Sequence, residues 1–179
     1  MKQRYEVILA GSGGQGIAVS ARVLGVAAIL EGRNVIQTQS LLGDSQRGGL
    51  IITELVIDTE EIVFQQVEHP DVILVLGDLA VKKYAEVTPN IAMLYESSLA
   101  DLGERSRVYP FPFAELAGKT GYAANMIALG AIIALTGVVS FESVTAAIRQ
   151  NLSKSADENI EAVRHGMKIA EEVKGAAIV

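Results

Sequence analysis

Apolar residues along this chain fall into two patterns: short aliphatic runs ended by glycine, proline or acid, and longer stretches that repeat at helical spacing. Tyr5 to Ala10 reads as a buried first strand closed by Gly11. Ile17 to Leu30 places Val19, Val23, Val26, Ala27 and Leu30 on one helical face and stops at Glu31-Gly32. Asn34 to Gln37 predicts a short second strand that completes a strand–helix–strand unit, and Thr38 to Arg47 is polar and reads as a long loop. Leu50 to Asp58, rich in Ile, Thr and Val, predicts a strand with Glu61 to Gln65 as its hairpin partner. Val72 to Leu76 predicts a strand buried on both faces, and Gly77-Asp78 ends it where open sheets place their ligands. A short helix over Leu79 to Glu86, strands over Ile91 to Tyr95 and Arg107 to Phe111, and a helical turn over Phe113 to Ala117 follow, with a break from Gly118 to Gly121. Ala123 to Leu135 predicts a helix with small residues at Ala124, Ala128, Ala131 and Ala134. Ser140 is placed to cap a helix over Phe141 to Gln150, and Asp157 to Lys174 has the apolar face of a last amphipathic helix. The expectation is an α/β fold: a single three-layer domain over residues 1–179 with a mixed, mostly parallel sheet.

Composition narrows what such a fold can do. Half of the 179 residues are hydrophobic and only 5% are aromatic, which suits helices covering a sheet and leaves room for a partner over residual apolar surface. There is no cysteine, so disulfides, thiolate metal sites, cysteine nucleophiles and iron–sulfur ligation are excluded within the chain. His69 and His165 stand far apart with no ligand pattern around either, and no metal site is expected. The net charge is −6 and no basic run exceeds Lys82-Lys83, which argues against nucleic acid as a partner. Met1 to Ala10 is too short for a signal-peptide core, and the longest apolar run, Met126 to Val139, is interrupted by Gly130, Thr136 and Gly137. A soluble cytoplasmic protein without membrane segments is expected.

The candidate chemistry starts at Gly11-Ser12-Gly13-Gly14-Gln15-Gly16, which reads G-x-G-x-x-G between a strand and a helix. Such a turn lets the backbone adopt positive φ and presents N–H groups at a helix amino end, where an anion such as phosphate is favoured. It also serves simply to pack a first helix on a sheet, and both readings stand. The fold expected of it is Rossmann-like. A dinucleotide enzyme of that fold would carry an acid at the end of the second strand, near Gln37-Thr38-Gln39, and none is present, which argues against NAD. No serine has a histidine and carboxylate at recognisable spacing, so no complete catalytic site is expected in this chain alone. What remains is Gly11 to Gly16 as an anion or contact loop, Arg47 as a forked donor for phosphate or carboxylate, and Gly48-Gly49 as a point of close approach. Asn125 is the polar residue of its helix and is read as a candidate N-terminal cap.

Gly11 to Ile17, then Gln46-Arg47-Gly48-Gly49, then Ala124-Asn125-Met126-Ile127-Ala128-Leu129-Gly130-Ala131 resemble, in order, three signatures of the gamma subunit of 2-oxoacid:ferredoxin oxidoreductases, the pyruvate/ketoisovalerate oxidoreductase gamma family. The closing segment from Ser140 through Lys154 to Asn159 and Gly166 looks most like the 2-oxoglutarate branch. Asp44-Ser45-Gln46, standing where many relatives have proline and glutamate, is similar to the indolepyruvate branch. The resemblance implies one subunit of a larger oxidoreductase that converts a 2-oxoacid to acyl-coenzyme A and carbon dioxide and passes electrons to ferredoxin. It implies alpha and beta partners, and in some relatives a delta subunit, with thiamine diphosphate and iron–sulfur clusters on those partners. By the same resemblance, Gly13 to Gly16 would face coenzyme A phosphates or a partner chain. Arg47, Gly48 and Gly49 would sit at the subunit junction, and Asn125 would fix that junction. An isolated chain would be free to self-associate through surface its partners normally cover. The rival readings are a stand-alone nucleotide- or phosphate-binding module and a purely structural subunit.

Overall fold

A computed structural model of the chain describes residues 2–43 and 49–176. Six strands, β1 (Arg4–Ser12), β2 (Asn34–Leu42), β3 (Leu50–Asp58), β4 (Val72–Val75), β5 (Ala92–Glu96) and β6 (Val108–Phe111), form one sheet in the order β2-β3-β1-β4-β5-β6. β4 lies parallel to β1, β5 to β4 and β6 to β5, while β3 runs antiparallel to both β1 and β2. Only β3 is therefore reversed, and the expected mixed, mostly parallel Rossmann-like sheet is present.

The helices are α1 (Ile17–Leu30), α2 (Asp78–Tyr84), α3 (Phe113–Thr120), α4 (Ala124–Thr136), α5 (Phe141–Asn151) and α6 (Ala156–Ala176). β1 shows why they divide unevenly. Tyr5, Val7 and Leu9 face a large core built with α1, α4, α5 and α6, whereas Ile8 and Ala10 face a smaller one under α2. Helix α4 is buried nearly all round, from Asn125 to Ile133, because it lies between the sheet and α6. Two glycines make that contact close. A Cβ on Gly130 would lie 1.9 Å from the Val163 carbonyl oxygen, and one on Gly166 would lie 1.8 Å from that of Ile127.

Helix ends follow local chemistry. Ser140 Oγ accepts the Ser143 N–H at 3.1 Å, the cap the sequence announces for α5. Gly121 and Gly137 end α3 and α4 in the left-handed conformation.

Several expectations are corrected. Thr38 to Leu42 is not loop: β2 runs on to Leu42 and pairs with β3 through Leu42↔Leu50. The segment is an edge strand exposed on both faces, so it carries no apolar alternation to announce it. The hairpin partner of β3 is consequently β2, and Glu61 to Gln65 forms no strand. The strand–helix–strand unit is also opened, because β3 stands between β1 and β2. Helix α3 continues through Gly118 to Thr120, and the break falls at Gly121, Tyr122 and Ala123. No helix among the described residues is long and apolar enough to cross a membrane.

Candidate functional site

Helix α1 leaves the sheet on one face and α2 on the other, so a crevice opens between the carboxyl ends of β1 and β4, the place where open α/β sheets hold ligands. A cleft of about 390 Å³ lies there. Its walls include Gly14, Gln15 and Gly16 on one side, Ala123, Ala124 and Asn125 at the start of α4, and Glu96, Ser98 and Ala114 on the far side.

The glycine loop is held from within. Gln15 Oε1 accepts the Ser12 N–H at 2.6 Å, and Gln15 Nε2 donates to the Leu76 carbonyl at 2.7 Å. One side chain thus ties the end of β1 to the end of β4. Gly11 and Gly77 make room for this arrangement: a Cβ on Gly11 would meet Gln15 Oε1 at 2.6 Å, and one on Gly77 would meet Ser12 Oγ at 2.7 Å. Gly14 has φ +87° with nothing within 4 Å of a built Cβ, so its glycine is needed for conformation and it borders open space. Among the described residues the N–H groups of Gly13, Gly14 and Gly16 make no hydrogen bond.

Asn125 is 8% exposed and does not cap its own helix, whose N-cap is Ala123. Its Nδ2 donates to the Gly16 carbonyl at 3.1 Å and to Ser20 Oγ at 3.0 Å, while Ser20 Oγ donates to the Asn125 carbonyl at 3.2 Å. The amino ends of α1 and α4 are therefore clasped together. Gly16 has φ +74°, which favours glycine, and a Cβ there would lie 2.5 Å from Asn125 Nδ2, so a larger residue would also displace the clasp. Neither α1 nor α4 has a side-chain cap or an acid in its first turn, which leaves both positive dipole ends bare toward the cleft.

Of the sequence-derived candidates, Gly14, Gln15, Gly16 and Asn125 line this cleft, whereas Gly11 and Ser12 end β1 and, with Gly13, are not part of its wall. Gly49 is buried one residue beyond the Ser12↔Leu50 pair, at the same end of the sheet. Arg47 and Gly48 lie outside the described residues. The positions Gln37, Thr38 and Gln39, where a ribose-binding acid was sought, sit on β2, separated from β1 by the whole of β3, roughly 10 Å at ordinary strand spacing. Sequence reasoning missed Glu96. The readable signal was a carboxylate directly after an aliphatic strand, at the sheet's ligand edge. Among the described residues no three His, Asp or Glu side chains gather as a metal site.

Comparison with known proteins accords with this architecture. Residues 6–169 match the family described as pyruvate ferredoxin/flavodoxin oxidoreductase. The chain is 36% identical to the 2-oxoglutarate synthase subunit KorC of Archaeoglobus fulgidus over 183 residues, covering 100% of this chain and 95% of that protein. The crystal structure of the keto/oxoacid ferredoxin oxidoreductase gamma subunit from Geobacter sulfurreducens PCA superposes with a TM-score of 0.78 at 29% identity, covering 94% of this chain and 99% of that one. The fold is also found, at TM-score 0.83 and 22% identity, within a 2-oxoglutarate:ferredoxin oxidoreductase from Magnetococcus marinus determined with 2-oxoglutarate, coenzyme A and succinyl-CoA bound. There the similarity spans 96% of this chain but 32% of the other.

Proposed function

The chain belongs to the pyruvate ferredoxin/flavodoxin oxidoreductase family, and from that premise we propose that it is the gamma-type subunit of a 2-oxoacid:ferredoxin oxidoreductase acting on 2-oxoglutarate. The observation that carries the reading is end-to-end similarity to a 2-oxoglutarate synthase subunit in both directions of coverage. As one gamma-type catalytic unit over residues 1–179, the chain works with alpha and beta partners. Those partners hold thiamine diphosphate and the iron–sulfur clusters, an assignment supported by the absence of cysteine here. Electrons leave the complex to ferredoxin, and the complex works in the cytoplasm.

In this reading the cleft takes part of coenzyme A, whose thiol receives the acyl group as a thioester. The residues suit its diphosphate: the bare amino ends of α1 and α4, with the N–H groups of Gly14 and Gly16, supply donors, and no lysine or arginine stands among the described lining residues. Gln15 holds the loop in the shape that exposes those donors, and Asn125 holds the two helix ends at one place. Arg47, Gly48 and Gly49 serve the junction with the partner that carries the thiamine site.

The test is reconstitution. The chain is co-produced with its alpha and beta partners under anaerobic conditions, and 2-oxoacid-dependent dye reduction is followed with and without coenzyme A. Coenzyme A-dependent turnover of 2-oxoglutarate that disappears when this chain is omitted is the expected result. Full activity of the complex without the chain would refute the assignment, and preference for pyruvate or a branched 2-oxoacid would refute the substrate.

A further inference from the structure

Glu96 is the only ionisable side chain among the described cleft residues, and it is only 5% exposed. Its Oε1 accepts the Ser98 N–H at 3.0 Å and its Oε2 accepts the Ala114 N–H at 2.8 Å. Placing a carboxylate out of water is costly unless something uses it. Part of the use is local, because α3 starts after Pro112, which has no side-chain acceptor, and Glu96 serves its first turn in place of a cap. A serine or aspartate at position 112 would do that without burying a charge in the wall of a cleft. Each carboxylate oxygen keeps a further acceptor position beyond the bond it makes.

The cleft is thereby divided. On one side stand the uncapped amino ends of α1 and α4; on the other, the amino end of α3 is already neutralised by Glu96. A second polar group is unspent. Asn125 commits its Nδ2 to Gly16 and Ser20, and its Oδ1 accepts no hydrogen bond among the described residues. Two acceptors, Glu96 and Asn125 Oδ1, thus share the cleft with the bare donors of the glycine loop.

We propose that Glu96 is a specificity-determining residue of this cleft: it keeps anionic groups off the α3 side and accepts a hydrogen bond from a hydroxyl or N–H of the ligand. The cleft then selects a molecule that carries a neutral donor beside its diphosphate and turns away a small free anion. This rests on the reading of the cleft as a coenzyme A site. Coenzyme A has both features, with hydroxyl, amide and amine donors flanking its diphosphate, whereas inorganic pyrophosphate has only the second.

The experiment is titration calorimetry of the assembled complex with coenzyme A and with inorganic pyrophosphate, for the wild type, Glu96→Gln, Glu96→Asp and Ala124→Asp. Glu96→Gln should bind pyrophosphate about tenfold more tightly and coenzyme A several-fold more weakly, since a nearby like charge is removed together with an acceptor. Glu96→Asp, which keeps the charge, should preserve the wild-type preference. Ala124→Asp places a carboxylate on the opposite side, in a first turn that tolerates acids, and should weaken both ligands at least tenfold. It keeps the division of the cleft testable should the Gln variant fail to fold. Equal changes for both ligands in Glu96→Gln, or no change, would reduce Glu96 to a helix cap and overturn the proposal. Unaltered binding in Ala124→Asp would overturn the division. A wild-type complex that binds coenzyme A with no response to either Glu96→Gln or Ala124→Asp would leave the subunit assignment standing and remove the cleft from it, whereas binding of neither ligand would remove both.

Discussion

At the scale of single residues, Gln15 does more for the loop than its glycines. It both accepts from Ser12 and donates to Leu76, so Gln15→Glu keeps the size and the first bond but sets a carboxylate against a carbonyl oxygen. The Ser12 N–H bond would strengthen, yet the unmatched Leu76 carbonyl and the repulsion outweigh it, and a loss of about 1–2 kcal/mol is expected. The same substitution adds negative charge beside the bare amino end of α1. Chemical denaturation and coenzyme A titration of the variant check both effects, and wild-type behaviour in each would refute the role given to Gln15. The glycines were legible because their spacing between a strand and a helix is a pattern. The double bond of Gln15 was not, since its second partner is 61 positions away. Asn125 was read as a cap or a junction residue. The structure shows a clasp across 109 positions to Gly16, which no local window contains.

Among elements, the contact of α4 with α6 sets the geometry from which α4 presents its amino end to the cleft. Gly130→Ala and Gly166→Ala would each gain up to about 1 kcal/mol in helix propensity. Each also drives a methyl group into a backbone carbonyl that cannot turn aside, at a cost of about 1–3 kcal/mol or more. Overpacking therefore wins, and both variants should lower the urea midpoint with unchanged slope. The double variant should cost less than the two together, because the first methyl already separates the helices. Gly118→Ala is the contrast: the position is exposed and helical with nothing within 4 Å, so the propensity gain stands alone and stability should rise. Most elements were readable from sequence, among them α1 and β3 to the residue. The failures share a cause. Thr38 to Leu42 and Glu61 to Gln65 gain their state from what lies beside them, a paired β3 or nothing, and not from their own apolar pattern.

For the whole molecule, two groups outside the cleft make stability depend on pH. Burial pushes the Glu31 carboxyl up, but the Ser140 N–H, the Arg33 guanidinium and the Ser140 and Ser143 side chains together hold it below its ordinary value. A depressed carboxylate contributes stability above its unfolded value and loses it as pH falls through the folded one. At the other limit burial, reinforced by the negative charge of Glu54, pushes the Tyr84 hydroxyl up to about 12. That contribution is complete below the unfolded value and is lost as pH rises through the folded one. Thermal melts across pH should show Glu31→Gln flattening the acid limb and Tyr84→Phe the alkaline limb; unchanged limbs would refute these assignments. The reversed strand β3, finally, favours one order of assembly. Seven residues separate β2 from β3, against 37 between the ends of β1 and β3, a difference of about 1.5 kcal/mol in closure entropy. The expected order is therefore β3 zipped to β2 before it reaches β1, with the sheet's edge hairpin formed ahead of the crevice it helps to build. Pulse-labelled amides across β2 and β3 should gain protection ahead of those across β1 and β3.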